Sequence, residues 1–370
     1  MIVRGRLVLD EAIVPGCLVV EDGVIAAVEA DAADIDGPLV APGFVDVHVH
    51  GWGGHDAMGT RDDLDGMARA LLRRGVTGFL PTAVTAPVAT LRDFADRVRA
   101  WMPQAPADGA EPLGFSLEGP FISPERKGAQ NPDFIVTPAS VDRAELAPLL
   151  PGLKEMTIAP EVDGALELIE WLAQNDVAVA LGHSVATVDQ GHAGYAVGAR
   201  TTTHVFNAMT GVDHRTPGLA VAALTEDDAY VELVADGHHV HPALWPIIAR
   251  TKPADRLVIV SDAMYLAGCG DGEGNLGGLD VEVRGDRAML RGTQTLAGSV
   301  TAMDLEVRNL FLAGMPLPAA VAAATRNPLA LLGVTDRGRL AAGQRADLVE
   351  LDDELHVVRV ARAGEWVAGA

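Results

Sequence analysis

The stretch Pro-Gly-Phe-Val-Asp-Val-His-Val-His-Gly, residues 42–51, joins an apolar run of strand type to a pair of histidines. Pro42 and Gly43 stand immediately before the strand and mark a turn there. Because residues two apart in a strand point to the same side of a sheet, His48 and His50 can present both imidazoles to one metal ion. Two strand histidines satisfied by their neighbours would give the same pattern, so the pair alone leaves both interpretations open.

Seven further apolar runs of strand type follow, and helical patterns alternate with them. The predicted helices lie over residues 61–74, 89–101 and 164–174. The predicted strands, eight with the first, cover residues 44–50, 78–83, 114–117, 156–159, 177–181, 201–203, 230–235 and 257–260. Strands that alternate with helices are typical of parallel βαβ units. Eight such units predict an α/β fold of the (β/α)8 TIM-barrel type.

The two ends of the chain do not continue this alternation. Both are rich in short strand-like runs and turns, such as Gly-Arg-Leu-Val-Leu-Asp near the start and Ala-Asp-Leu-Val-Glu-Leu-Asp near the end. We therefore predict a small β-sandwich domain built from both chain ends, residues 1–41 and 336–370, beside a barrel domain over residues 42–335.

Four polar residues stand just past the ends of predicted barrel strands: Glu118, His183, His204 and Asp262. The active sites of such barrels are built on the face where the C-terminal ends of the strands meet. Imidazole and carboxylate are the ligands that a divalent cation such as zinc uses in proteins. The four residues therefore favour the metal-site interpretation of the histidine pair.

Composition restricts the partners and the compartment. The formal charge is 28 − 51 = −23 without a basic patch, which disfavours binding to nucleic acid or to an anionic membrane surface. Cys17 and Cys269 are far apart in sequence, so a disulfide framework is not expected and a reducing compartment fits. No signal-peptide pattern or membrane-spanning apolar run is present. We expect a cytoplasmic protein.

The motifs PGFVDVHVHG, SLEGPF, LGHS, THVFNAM, ADGHHV, VSDA, TLAGS and GQRADLVELD run along essentially the whole chain. In this order they resemble the amidohydrolase superfamily and, within it, the N-acetylglucosamine-6-phosphate deacetylase family. The resemblance implies metal-dependent hydrolysis of the acetamide of N-acetyl-D-glucosamine 6-phosphate to D-glucosamine 6-phosphate and acetate. It also implies a small-molecule partner, an amino-sugar phosphate, and a homodimer or higher homo-oligomer.

The residues suit this chemistry. An unactivated amide needs a strong nucleophile, which a bound zinc supplies by lowering the pKa of its water to about 7. Glu118, His183 and His204 give three protein ligands and leave a position for water and substrate. We expect Asp262 to act as the proton shuttle, because a carboxylate there can take the proton of the water and pass it to the departing amine.

The number of metal ions depends on the pair His48 and His50. Some members of the family lack the pair and bind one metal, so its presence here makes a second cation, bridged by Glu118, a reasonable hypothesis. Related binuclear enzymes often bridge through a carboxylated lysine, but none of Lys127, Lys154 and Lys252 ends a predicted strand. One or two zinc ions per chain are expected.

Further residues match substrate-contacting positions of the family. Asn207 and Ala208 can offer backbone N–H groups, and Arg215 can offer a bidentate fork to phosphate. Gln130 stands where some relatives have histidine, so it cannot carry charge there. For His238, a solvent-facing loop position is the simpler interpretation. The expected substrate-binding set is Ala129, Gln130, Asn207, Ala208, Arg215, Asp236, Gly237, His238, His239, Leu296, Ala297 and Gly298.

Two alternative functions account for fewer of these residues. Another amidohydrolase, such as an N-acyl-amino-acid deacylase, would not need Arg215 and Asn207 to bind phosphate. A catalytically silent barrel serving as a binding protein would not need the complete set of metal-type residues together with Asp262.

Overall fold

The computed structural model describes residues 1–30 and 37–367. Residues 31–36 and 368–370 of the predicted end domain lie outside the described part. In chain order the strands are β1 (Ile2–Val8), β2 (Ile13–Glu21), β3 (Val24–Ala30), β4 (Leu39–Pro42), β5 (Phe44–Val49), β6 (Gly51–Trp52), β7 (His55–Asp56), β8 (Val76–Ala83), β9 (Glu111–Pro112), β10 (Phe115–Glu118), β11 (Leu153–Ile158), β12 (Ala178–Leu181), β13 (Thr201–Thr202), β14 (Tyr230–Leu233), β15 (Leu257–Ile259), β16 (Gly272–Leu276), β17 (Leu279–Arg284), β18 (Arg287–Leu290), β19 (Leu348–Leu351), β20 (Val357–Arg362) and β21 (Glu365–Val367).

The α-helices are α1 (Arg61–Leu72), α2 (Val88–Trp101), α3 (Arg143–Leu146), α4 (Ala165–Ala173), α5 (Val188–Ala196), α6 (Leu219–Thr225), α7 (Trp245–Thr251), α8 (Met303–Leu312), α9 (Leu317–Ala323) and α10 (Arg326–Leu331). Helices α1 to α7 lie between the barrel strands in sequence, and α8 to α10 follow the last barrel strand before the C-terminal part of the end sheet. Short 3-10 helices lie at Met102–Gln104, Pro124–Arg126, Pro132–Phe134, Pro138–Ser140, Ala147–Leu149 and Pro242–Leu244. None of the described helices combines the length and the apolar character needed to cross a bilayer.

Eight parallel strands form a nearly closed barrel in the order β5-β8-β10-β11-β12-β13-β14-β15. The first and last strands meet through the segment after β15, where the backbone N–H of Asp262 donates to the carbonyl of His48 at 2.9 Å. Ser261 adds a side-chain bond across the same seam, since its hydroxyl donates to the carboxylate of Asp46 at 2.5 Å. The predicted (β/α)8 barrel is confirmed.

The barrel strands are buried on both faces. Every residue of β8 is buried, as expected of a parallel strand with the barrel interior on one side and helices on the other. Outside the barrel, α1 begins at a capping box in which Asp63 N–H donates to the Thr60 hydroxyl and Thr60 N–H donates to the Asp63 carboxylate. Its buried residues recur at helical spacing and pack on the barrel. The three predicted helices correspond to α1, α2 and α4.

The two chain ends pair in one continuous sheet with the order β21-β20-β19-β4-β1-β2-β3. The sheet curls, because Ile25 N–H donates to the carbonyl of Gln344 and Ala346 N–H donates to the carbonyl of Gly23, both at 2.8 Å. It encloses a small core of its own that includes Leu7, Leu18 and Leu348. The ends therefore join as expected, through one curled sheet rather than two separate ones, and the domain limits stay a prediction.

A third sheet, which the sequence analysis did not anticipate, is formed by the antiparallel strands β16, β17 and β18. We call residues 272–290 the flap. It is tied to the loops after two barrel strands: Asn131 donates to the carbonyl of Gly277 at 3.1 Å, and His238 Nε2 lies 2.9 Å from the carboxylate of Asp286. The flap therefore lies beside the C-terminal face of the barrel.

Candidate active site

The candidate ligands occupy the positions where barrel strands end. His183, His204 and Asp262 lie just past β12, β13 and β15, and their φ angles are +47°, +23° and +48°. The left-handed region is uncommon for residues with side chains, and it clusters at functional sites where surrounding structure enforces it. The turn of the backbone at these three residues brings their side chains into one cluster.

The first donor set consists of Glu118, His183 and His204, all buried. Glu118 Oε1 lies 2.8 Å from His183 Nε2 and 2.9 Å from His204 Nε2. The two imidazole nitrogens are 3.1 Å apart. Three ligand atoms therefore converge from three different strands, as expected from the sequence.

The second donor set consists of His48 and His50 with the same glutamate. The Nε2 atoms of the two histidines are 3.2 Å apart, and His50 Nε2 lies 3.3 Å from Glu118 Oε2. Glu118 thus stands between two imidazole pairs: its Oε1 faces His183 and His204 and lies 3.8 Å from His48 Nε2, and its Oε2 faces His50. Burial raises the pKa of Glu118, but the charge and hydrogen bond of His183, with further bonds to His204 and His50, lower it well below its usual range.

These residues fit a divalent cation. His183 Nδ1 lies 2.8 Å from the carbonyl of Arg126, and His50 Nδ1 lies 3.0 Å from the carbonyl of Thr82. A carbonyl accepts only, so each Nδ1 carries a proton, and each Nε2 is left facing the centre, where it can hold a second proton or a metal ion. Lone pairs of imidazole and carboxylate that face one another at about 3 Å repel unless a proton or a metal cation lies between them. The donor set therefore suits a divalent metal held by Glu118, His183 and His204, and a second held by His48 and His50 with Glu118.

Asp262 lies at the open side of this cluster. Its Oδ1 is 3.3 Å from His50 Nε2, and its Oδ2 is 3.8 Å from His239 Nε2. Burial raises the pKa of Asp262, but the hydrogen bond to His50 and the charges of His48 and His50 lower it to about 2. The carboxyl is therefore ionised near neutral pH, the state that a proton acceptor needs.

His239 is held by a neighbouring carboxylate. Its Nδ1 lies 2.7 Å from Asp236 Oδ2, and its backbone N–H donates to Asp236 Oδ1 at 2.8 Å. Burial lowers the pKa of His239, but the hydrogen bond and charge of Asp236 raise it above its usual value. His239 therefore offers its Nε2–H, on a ring fixed by Asp236, to whatever occupies the cavity.

The cluster lies at one side of an open cavity of about 380 Å³. The cavity is lined by residues from the barrel loops, the flap and the turn after it: His50, Glu118, Glu125, Arg126, Gly128, Ala129, Gln130, His183, His204, Asn207, Ala208, His239, Asp262, Leu276, Gln294, Thr295, Leu296 and Gly298. Most of the expected site residues therefore meet here. A space of this size accommodates a small molecule of sugar-phosphate dimensions.

Several expected substrate-binding residues lie elsewhere. Arg215 is on an exposed loop outside the cavity lining, Ala297 is fully buried, and His238 contacts Asp286 and Arg287 of the flap. Asp236 and Gly237 also do not line the cavity. These residues lie in loops, and the path of a loop cannot be predicted from a short stretch of its sequence.

The expected pair of backbone donors is reduced to one. Asn207 N–H donates to the carbonyl of His204 at 3.0 Å, so this donor is already used within the turn, although Asn207 itself lines the cavity. The N–H of Ala208 has no partner among the described residues and remains available. Tight turns after a strand use up backbone donors in this way, and the sequence alone does not show which one is left.

Gln130 is bonded directly to the donor cluster. Its Nε2 donates to Glu118 Oε2, and its Oε1 accepts from the backbone N–H of Thr85 at 2.8 Å. Since a primary amide has two N–H groups, one remains for the cavity. Gln130 therefore fixes the carboxylate that both donor sets share.

Other contributing residues were missed. Thr203 Oγ1 lies 3.0 Å from His48 Nδ1, and Glu232 Oε2 lies 3.6 Å from the same nitrogen. Glu232 and Glu155 are fully buried and form with His48 a third group of ligand-type atoms inside the barrel. A carboxylate within the otherwise apolar predicted strand 230–235 was the signal for Glu232, whereas Thr203 lies in a run of three threonines that gives no such signal. The loop residue Arg126, whose carbonyl holds His183, gave no such signal.

The chain matches the amidohydrolase family model over residues 39–367. A curated N-acetylgalactosamine-6-phosphate deacetylase from Escherichia coli O157:H7 is 39% identical over 360 residues, which cover 95% of this chain and 93% of the relative. The human N-acetylglucosamine-6-phosphate deacetylase is 37% identical over 392 residues, covering 100% of this chain and 91% of the relative.

Solved structures agree with these relatives. The N-acetylglucosamine-6-phosphate deacetylase of Thermotoga maritima superposes with a TM-score of 0.93 at 34% identity, covering 100% of both chains. A variant of the Mycobacterium smegmatis enzyme in complex with N-acetyl-D-glucosamine-6-phosphate gives a TM-score of 0.92 at 36% identity, covering 99% of both chains. These similarities agree with the resemblance drawn from the motifs, as do the barrel and the His and Glu clusters at its C-terminal face. The chain belongs to the amidohydrolase family.

Proposed function

We propose that this protein hydrolyses the acetamide of N-acetyl-D-glucosamine 6-phosphate to D-glucosamine 6-phosphate and acetate. The observation that carries the proposal is the placement of Glu118 between two imidazole pairs, with the ionised Asp262 beside them in an open cavity. Curated relatives of this size and similarity are named for deacetylation of amino-sugar phosphates.

Zn²⁺ is the proposed cation, since neutral imidazoles and a carboxylate are ligands it favours. A bound divalent cation supplies Lewis acidity toward the amide carbonyl and toward water. Glu118, His183 and His204 would hold one ion, and His48 and His50 with Glu118 would hold a second. Gln130 keeps the Glu118 carboxylate in place through its own two hydrogen bonds.

Asp262 performs the proton transfer in this mechanism. Its carboxylate accepts a proton from the attacking water and then delivers that proton to the sugar nitrogen as the C–N bond breaks. Because the sugar nitrogen is a very poor leaving group unless it is protonated, Asp262 serves both the attack of water and the departure of the amine. His239, fixed by Asp236, lies 3.8 Å from Asp262 and orients the substrate on the other side of that carboxylate.

The phosphate end of the substrate requires donors. Ala208 N–H and His239 lie at the cavity of the same chain. Arg215 is exposed on a loop that also exposes Val212, a residue that is 70% accessible. We propose a cytoplasmic homodimer in which this loop packs on the other subunit and Arg215 reaches that subunit's substrate phosphate.

The 4-epimer is a second candidate substrate. It is favoured by the Escherichia coli relative, which is named for N-acetylgalactosamine 6-phosphate and is 39% identical. Both sugars carry the same acetamide and the same 6-phosphate, so the chemistry described here applies to either. The two differ only at the 4-hydroxyl, whose contacts would decide the preference.

Release of acetate from the two 6-phosphates and from an N-acetyl amino acid tests the proposal. The purified protein is stripped of metal and then assayed with single added cations. We expect turnover of the amino-sugar phosphate that depends on a divalent cation. Turnover of the N-acetyl amino acid alone would support the deacylase alternative, and the absence of metal-dependent turnover of all three amides would contradict the proposed hydrolysis.

A further inference from the structure

Arg126 is the basic residue that lines the candidate active site. Within the described part of the chain, the lining of the 380 Å³ cavity contains no other lysine or arginine. The protein carries a formal charge of −23, and the site itself contributes Glu118, Glu125 and Asp262. A dianionic substrate entering this field therefore needs a nearby positive charge.

The backbone of Arg126 is fixed to the metal cluster. Its carbonyl lies 2.8 Å from His183 Nδ1, and its own N–H donates to the carbonyl of Ser123 at 3.0 Å. Two residues later, a methyl group added at Gly128 would lie 3.2 Å from the His183 ring and 3.6 Å from the Ala208 side chain. Residues 126–128 therefore pack between His183, a ligand of the proposed metal, and Ala208, whose backbone N–H remains available.

The guanidinium of Arg126 has no hydrogen-bond or ion-pair partner among the described residues. Several other arginines are paired: Arg359 makes two bonds to Glu350 at 2.6 and 2.7 Å, and Arg337 donates to Glu111 at 2.8 Å. An arginine left unpaired on an acidic protein, at the wall of a cavity, is free to bind an anion with two parallel hydrogen bonds.

We propose that Arg126 is a specificity-determining residue that binds the substrate phosphate from within the same subunit. This inference rests on the proposed function, and it adds a residue to the phosphate site that the sequence analysis did not include. Arg126 and Ala208 then contact the phosphate from one chain, whereas Arg215 acts from the other subunit. The carbonyl of Arg126 meanwhile holds His183, so phosphate binding and ligand orientation share one short segment.

Kinetics of Arg126→Gln on the holoenzyme test this role. We expect the KM for the 6-phosphate to rise by about tenfold or more with kcat changed by less than about threefold, because a charged hydrogen bond is lost in both ground and transition states. The kcat/KM for unphosphorylated N-acetylglucosamine should stay within about twofold. Metal content should not change, and Arg126→Lys should recover part of the loss.

Lys127→Gln is the matched control, because it removes the same charge from the next residue, whose ammonium donates to the carbonyl of Gly128 rather than lining the cavity. If the positive charge acts only through the overall electrostatic field, both Gln variants should show the same increase in KM. That result would overturn the proposal. Equal losses on the phosphorylated and unphosphorylated sugars, or loss of metal, would overturn it as well, since Arg126 would then only hold the loop. A wild-type enzyme without activity on either 6-phosphate would refute the proposed function itself, and this inference with it.

Discussion

Asp262 is the residue on which the proposed proton transfer depends. Asp262→Asn keeps the shape of the side chain but removes the base. We expect kcat to fall by about 10²–10⁴-fold, the range typical of general acid–base residues, with metal content unchanged. Steady-state kinetics combined with elemental analysis check this. Near-normal kcat at full metal occupancy would show that another group transfers the proton.

His48 and His50 determine the number of cations in the proposed site. They contact Glu118 through their own ligand atoms, apart from the His183 and His204 set. The double substitution His48→Gln with His50→Asn should therefore lower the metal count per chain by one while the melting temperature stays comparable. Elemental analysis with equal counts before and after would dispose of the second cation. Loss of activity alone does not separate the two cases.

At the scale of elements, the strand ends and the flap line the site, and α8 packs against the barrel strands β5 and β15. α8 contributes Glu306, which is fully buried and accepts from the backbone N–H of Ala235 at 3.1 Å through one oxygen. The other oxygen has no partner among the described residues. Burial, with the nearby charges of Asp236, Asp46 and Asp262, raises the pKa of Glu306 well above its usual value. Ionisation of Glu306 as the pH rises therefore lowers the free energy of unfolding.

The direction of this effect follows from the difference in the pKa of Glu306 between the folded and unfolded states. A carboxyl with a raised pKa in the folded state contributes its full stability below the unfolded value of 4.5, and that stability is lost as pH rises toward the folded pKa. Glu306→Gln has no ionisable group, so its melting temperature should exceed that of the wild type at pH 8 and approach it near pH 4.5. Melting curves across this range measure the difference.

Glu365→Gln provides the control for Glu306, because it removes a carboxylate from an exposed position on β21. Its melting temperature should follow the wild type at every pH, apart from the small effect of one surface charge. A Glu306→Gln curve that runs parallel to the wild type would mean that the folded protein tolerates the Glu306 charge.

At the scale of the whole molecule, the assembly decides whether Arg215 acts in its own site or in a neighbour's. Subunit mixing separates the two cases. Asp262→Asn and Arg215→Ala variants, each impaired alone, are unfolded and refolded together. If Arg215 acts across the interface of a homodimer, mixed dimers contain one intact site, and the equimolar mixture should recover roughly a quarter of wild-type activity.

Two outcomes would contradict that arrangement. An equimolar mixture no more active than the average of its components would place Arg215 in its own site or outside any site. A protein that sediments as a monomer under assay conditions would exclude the interface itself. Arg126→Gln mixed with Asp262→Asn is the matched comparison, since a residue acting within its own subunit should show no recovery.

The sequence by itself determined the barrel and the metal-type residues, because both are written in local patterns. Apolar runs of strand length separated by helical periodicity predict parallel βαβ units, and a histidine or carboxylate that ends such a run must lie at the C-terminal face. The metal-type residues and the candidate proton shuttle could therefore be predicted without knowing how the strands pack: His48, His50, Glu118, His183, His204 and Asp262.

Only the tertiary structure decided what the loops do. It placed Arg126 at the cavity and Arg215 outside it, it turned Asn207 N–H inward, and it brought the flap beside the barrel face. Loop paths depend on contacts between residues far apart in sequence, such as Arg126 with His183 and Asn131 with Gly277. Periodicity carries no information about such contacts, since a loop has no repeating face to bury, and the substrate end of the site is built almost entirely from loops.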